Sequence, residues 1–265
     1  MANLRYITCC KNYRQQIIER FRPAQKIQKF FNKNEVEKIR LYQFQNAHRA
    51  KFQETASNIQ SVVDMTDMFK KMPWLQYRFE ELFGRGEFST EHSGNFYITT
   101  QPHDCHVDLP TEDEHTHRWY DNMIPWKSVI IPLFLRHGTR AWTAFYKQRR
   151  IGYSVTFDRD FSSSQDNSAY RIARVYDGLI DQFGNPTDAE KDYGQWSEDR
   201  YPHVSQNNLR GFEEETILEH ETGSIFVFDA CQIHASVLHD GKPADWMKNG
   251  INIQFYKYHD SSKEF

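Results

Sequence analysis

Long apolar runs are missing from this 265-residue chain. None approaches the roughly 18 residues of a membrane-crossing helix. Met1 to Arg20 is broken by Arg5, Lys11, Arg14 and Glu19, so no signal peptide is readable there. Cysteine is scarce as well. Cys9, Cys10, Cys105 and Cys231 include a vicinal pair but no Cys-x-x-Cys spacing, which argues against a disulfide framework or a thiolate zinc site and leads us to expect reduced thiols in the cytoplasm. An excess of one charge is also absent, since 33 Lys and Arg stand against 36 Asp and Glu. With 20 Phe, 14 Tyr and 6 Trp available for burial, that balance excludes a disordered polyelectrolyte and predicts one folded unit. No internal repeat is visible.

Charge is nevertheless unevenly spread. Residues 1–40 carry ten Lys and Arg against Glu19, Glu35 and Glu37. Apolar residues interleave throughout, so this is read as the solvated face of amphipathic helices, and nucleic acid is not expected as a partner.

Two grammars divide the chain. Residues 1–85 read mostly as helix: Ile27, Phe30 and Phe31 share a face, Asn34 with Glu37 resembles a capping pattern, and Val36, Ile39 and Tyr42 continue the spacing. Met65 to Phe83 is a second helical stretch, with Pro23 and Pro73 marking breaks and Gly84-Arg85-Gly86 ending it. From 86 onward short strands are predicted at 95–100, 126–135, 140–146, 223–229, 233–238 and 251–258. Residues 149–214 lack periodicity and are read as an insertion. The expected architecture is mainly β with flanking helices. Its core, from 86–148 and 215–260, is read as a β-sandwich or small barrel, preceded by an amino-terminal helical segment.

The chemistry concentrates at His106-Val107-Asp108. In an extended chain, residues i and i+2 point to one face, so an imidazole and a carboxylate can reach the same ion. His234, on a later strand, would add a second imidazole and complete a two-histidine, one-carboxylate face with open positions, which suits non-haem Fe(II). His115-Thr116-His117 is a rival pair for zinc, but it lies beside Glu112, Asp113 and Glu114 in a loop-like stretch. His103 and Asp104 are out of phase with the pair and are read as its supports.

The order of these pieces resembles the Fe(II)/2-oxoglutarate-dependent oxygenases of the phytanoyl-CoA hydroxylase and prolyl hydroxylase kind. The resemblance rests on the Phe30 to Glu35 helix start, the helix ending at Gly86, Asn95 to Thr100 leading into His106-x-Asp108, the strand Ile130 to Leu133, and Gly223 to Asp229 reversing into His234-Ala-Ser236. It implies a double-stranded β-helix core (jelly-roll, cupin-like), Fe(II) held by His106, Asp108 and His234, 2-oxoglutarate as cosubstrate, and hydroxylation of a small molecule or side chain. The carboxylate of Asp108 favours hydroxylation over halogenation, which would leave that position for a halide.

The family's usual arginine anchor for 2-oxoglutarate is missing, because no arginine follows Arg210. Lys248 is the replacement expected. Counting by two from it places Gly250, Asn252 and Gln254 on one polar face of the last strand and Ile251, Ile253 and Phe255 on the other. Ser236 matches the family's hydroxyl position, and Asn252 is expected beside the cosubstrate. Lys127 or Arg140 would be alternative anchors. Two rival readings need no such anchor: a cupin-like metal enzyme that does not use 2-oxoglutarate, and a catalytically silent β-helix binding module.

Overall fold

The computed structural model describes residues 22–46, 52–55, 58–89, 94–100, 102–103, 105–108, 123–137, 139–149, 201, 203, 212–237 and 247–258. Its strands are β1 (Gln25–Ile27), β2 (Phe52–Thr55), β3 (Asn58–Val63), β4 (Gly94–Thr99), β5 (Met123–Leu135), β6 (Trp142–Arg149), β7 (Glu214–Glu219), β8 (Ile225–Asp229), β9 (Gln232–Val237) and β10 (Lys248–Tyr258). Its helices are α1 (Lys33–Asn46), α2 (Met65–Lys71) and α3 (Pro73–Phe83).

Two antiparallel sheets form the core. The larger runs β1-β8-β5-β10-β4-β3-β2 and the smaller β7-β6-β9. His106 forms a bridge with His234 and so adds its segment beside β9. From β4 onward the chain alternates between the sheets: β4 in the larger, the His106 segment in the smaller, β5 in the larger, β6 and β7 in the smaller, then β8, β9 and β10 in turn. This alternation is the double-stranded β-helix, or jelly roll, that the family resemblance implies, a more specific form of the sandwich or barrel read from the short strands.

The outer face of the larger sheet carries the helices. Val129, Ile131 and Leu133 of β5 and Ile251, Ile253 and Phe255 of β10 pack with Val36, Ile39 and Tyr42 of α1, Met65 and Met68 of α2, and Leu75 and Phe79 of α3. Phe255 sits among rings, with the Phe79, Phe83 and Phe88 centroids 4.9, 4.8 and 5.1 Å away. The alternate residues of β10 face the barrel interior, so the period-two split of this strand holds. A second apolar cluster, with Cys105, Val107, Tyr146, Tyr201, Phe212, Cys231, Ile233 and Ala235, belongs to the smaller sheet.

Several expectations change. The cap of α1 is Asn32, not Asn34: Glu35 N–H donates to Asn32 Oδ1 at 3.0 Å and Asn32 N–H donates to Glu35 Oε2 at 2.8 Å, a reciprocal capping box two residues earlier than expected. The expected helical flank contains β1, β2 and β3. β3 pairs with β4 and β2 with β3, so main-chain bonding to an existing sheet edge overrides the weak local pattern. The Met65–Phe83 stretch is two helices, because Pro73 takes the first position of α3 and Asp64 caps α2. β7 falls at the margin of the expected insertion. The rest of 149–214 lies outside the described residues, except for Arg149, Tyr201, His203, Phe212 and Glu213.

Candidate metal centre

His106, Asp108 and His234 converge. One ligand atom from each lies within 4.8 Å of the others, and this is the one such group found among the described residues. Main-chain hydrogen bonds set the spacing of the imidazoles: His106 N–H donates to His234 O at 2.9 Å, His234 N–H to His106 O at 3.0 Å, and the ring centroids are 4.3 Å apart. Asp108, two residues along the same segment, turns its carboxylate toward both, with Oδ1 3.4 Å from His106 Nε2 and Oδ2 3.2 Å from His234 Nε2.

The donor chemistry suits a cation. His234 Nδ1–H donates to the carbonyl of Gln232 at 3.0 Å, which leaves Nε2 as the ring's metal-binding nitrogen. Burial pushes the His234 imidazole toward its neutral form, with the neighbouring His106 adding to the effect and Asp108 opposing it. Burial alone would raise the Asp108 carboxyl, yet the two imidazoles, by charge and hydrogen bonding, hold it well below the ordinary carboxylate range. Two imidazole nitrogens and a carboxylate thus converge on one point. A metal ion there would take all three as ligands, so the donor set fits one.

β10 supports the carboxylate from the opposite sheet. Asn252 Nδ2 donates to Asp108 Oδ2 at 2.7 Å, and Gln254 Nε2 donates to the main-chain oxygen of Asp108. Tyr256 O–H donates to Gln254 Oε1 at 2.7 Å, which fixes the amide so that its NH2 faces Asp108. Behind His234, Phe145 stacks with centroids 5.7 Å apart and Phe228 meets it edge-on at 5.0 Å, locking the ring. His103 lies beside His106, centroids 4.0 Å apart. Cys105 and Cys231 pack in the apolar cluster of the smaller sheet rather than among the ligands. Asp104, His115 and His117 lie outside the described residues.

No protein-family model and no curated protein matches the sequence. Solved structures do. The chain is similar to the epimerase SnoN in complex with Fe3+, alpha ketoglutarate and nogalamycin RO, at 9% identity over 91% of this chain and 82% of that one, TM-score 0.49. It is similar to the non-heme alpha ketoglutarate dependent carbocyclase SnoK from nogalamycin biosynthesis, at 10% identity over 92% and 85%, TM-score 0.48. A third is an oxidoreductase of the 2OG-Fe(II) oxygenase family from Burkholderia pseudomallei, at 11% identity over 94% and 90%, TM-score 0.43.

Further along β10, Lys248 is buried and its Nζ donates to Ser236 Oγ at 3.4 Å, so two of the expected cosubstrate residues meet across the barrel, whereas Asn252 is engaged with Asp108. Burial pushes the Lys248 ammonium down to about 8, against the opposing pull of Asp108. Its Nζ lies 5.8 Å from the centroid of the Tyr97 ring. Tyr97 takes the space left by its register partner Gly250, where any Cβ would strike the Tyr97 hydroxyl and come within 2.8 Å of the Ile131 carbonyl. Lys127 is placed differently: it stands opposite Asp229 in the β5–β8 register, and its ammonium pairs with that carboxylate. Arg140 is exposed, 3.2 Å from Glu219, with its guanidinium 4.7 Å from the centroid of the Trp142 ring.

Sequence reasoning singled out neither Tyr97 nor the buried pair Thr143 and His220, with Thr143 Oγ1 and His220 Nε2 2.8 Å apart. Alternation of Asn95, Tyr97 and Thr99 along β4 was a usable signal for the first. Glu219-His220-Glu221 looks like a solvated corner, and nothing local betrays its burial.

Proposed function

We propose that this protein is an Fe(II)- and 2-oxoglutarate-dependent oxygenase hydroxylating a small molecule or a side chain, with His106, Asp108 and His234 as iron ligands. The observation that carries the reading is the convergence of one ligand atom each from His106, Asp108 and His234 within 4.8 Å of one another, inside a barrel that also buries the lysine Lys248. One carboxylate with two imidazoles and no thiolate suits ferrous iron and leaves positions free for other ligands. When bound, iron together with 2-oxoglutarate and O2 supplies the oxidant for C–H hydroxylation, one oxygen atom entering the product and the other the succinate formed as CO2 is lost.

The residues of the chain bind and orient. Asn252 and Gln254 hold Asp108 in place, Gln232 fixes the tautomer of His234, and Phe145 with Phe228 exclude water behind it. Lys248 supplies the positive charge for the distal carboxylate of 2-oxoglutarate, with Ser236 beside it. Lys127 is the weaker anchor because Asp229 already neutralises it. The scaffold supplies geometry and the cofactors the bond-breaking chemistry.

Anaerobic addition of Fe(II) and then 2-oxoglutarate tests the reading, which expects a visible charge-transfer band. Iron binding without a band would indicate a cupin-like metal enzyme, and no iron binding a silent barrel.

A further inference from the structure

Near Lys248 two buried hydroxyls stand on adjacent strands of the smaller sheet. Thr143 of β6 and Ser236 of β9 are register partners, and directly opposed side chains in an antiparallel pair have Cβ atoms about 5 Å apart. Each has a nitrogen behind it: Lys248 Nζ donates to Ser236 Oγ at 3.4 Å, and His220 Nε2 is 2.8 Å from Thr143 Oγ1. The rest of the His220 ring settles the direction of the second bond. Its Nδ1 is buried without a hydrogen-bond partner among the described residues, and an orphaned buried N–H is rarer than an under-used lone pair. Burial, with the positive charges of Lys248 and Lys26, keeps the ring neutral. The single ring proton is therefore on Nε2, and Nε2–H donates to Thr143 Oγ1. Both hydroxyl oxygens then accept from the protein, which frees their O–H groups to donate elsewhere.

We propose that Thr143 and Ser236 form a two-hydroxyl fork for the distal carboxylate of 2-oxoglutarate, oriented by His220 and Lys248 respectively, in place of the arginine missing after Arg210. This rests on the cosubstrate reading above. An arginine supplies charge and two parallel donors from one planar group. Here the functions are divided: Lys248 gives the charge, the two hydroxyls give one donor to each carboxylate oxygen, and His220 acts only through Thr143, as a positioning residue.

Anaerobic absorbance titration of the Fe(II)-loaded protein decides it, with 2-oxoglutarate run in parallel with 2-oxobutyrate, which keeps the 2-oxo acid head and lacks the distal carboxylate. Thr143→Val should weaken 2-oxoglutarate binding roughly tenfold or more, leaving iron and 2-oxobutyrate binding unchanged, and Thr143→Ser should restore it. His220→Phe should weaken 2-oxoglutarate selectively, and combined with Thr143→Val it should add nothing, since its effect passes through the lost hydroxyl. The fork is wrong, with the cosubstrate reading intact, if Thr143→Val binds 2-oxoglutarate like the parent or Thr143→Ser is as weak as Thr143→Val. An additive loss in the double variant overturns the role of His220. If Thr143→Val does not fold, His220→Phe decides alone: an unchanged preference for 2-oxoglutarate over 2-oxobutyrate overturns the proposal. A parent that gives no band with either acid sinks the cosubstrate reading and the fork together.

Discussion

Asn252 offers the smallest perturbation of the metal centre, because it touches Asp108 Oδ2 and is itself no ligand. Asn252→Ala should lower Fe(II) affinity about 10- to 100-fold, as removal of a hydrogen bond to a ligand ordinarily does. Competition with a chelator under anaerobic conditions measures this, and an unchanged affinity would mean that the carboxylate holds its own orientation. Lys248 gives a prediction in pH. Its ammonium is pushed down to about 8 from an ordinary 10.5, so between those values the unfolded chain holds more protons than the folded one, and stability rises with pH across the window. Below pH 8 the buried charge costs about 3 kcal/mol. Urea unfolding at pH 7 should therefore find Lys248→Met more stable than the cosubstrate-free parent, an advantage that disappears above pH 10.5. Affinity for 2-oxoglutarate should move oppositely, falling as pH rises through about 8, because the carboxylate needs the protonated amine.

Among the elements, β10 does the most for the site. Its inward residues Lys248, Gly250, Asn252, Gln254 and Tyr256 respectively meet Ser236, make room for Tyr97, hold the carboxylate of Asp108, hold its main chain, and fix the amide of Gln254. Gly250→Ala should destabilise the protein by about 1 to 3 kcal/mol, read by urea denaturation, and weaken 2-oxoglutarate binding as Tyr97 is displaced. A result like the parent in both would show that Tyr97 and the Ile131 carbonyl give way freely. The face assignment of this strand was legible because alternation is a local property of eleven residues. So was the pairing of His106 with Asp108, two residues apart. Thr143 and His220 were illegible for the opposite reason: their meeting depends on the register of β6 against β7 and β9, set by residues about 75 to 95 positions away. The strands β2 and β3 were missed because pairing with β4, rather than their own composition, makes them strands.

For the molecule as a whole, the three candidate ligand atoms meet only in the folded barrel, so iron should stabilise it by mass action. Free Fe(II) at about 100 times its Kd should add about 2.7 kcal/mol to the unfolding free energy, seen as a rise in Tm that a chelator reverses. Asp108→Ala should abolish the rise. The packing between helices and sheet is a separate contribution: Phe255→Ala should cost about 3 to 5 kcal/mol without changing the number of iron ions bound, because Phe255 faces the helices.

The His106–His234 pair and the Lys248–Ser236 pair are held by mechanically different means. His106 and His234 are neighbours on a hydrogen-bonded ladder, so the gap between their rings is held like marks on a ruler. Lys248 and Ser236 reach toward each other from different sheets, so that pair closes like a vice whose jaws can part. Gentle heating or pressure that loosens sheet from sheet should therefore release 2-oxoglutarate first, and weaken iron only as far as the loss of Asn252 and Gln254 from Asp108 does. Charge-transfer and iron-retention measurements along one temperature ramp would separate the two losses.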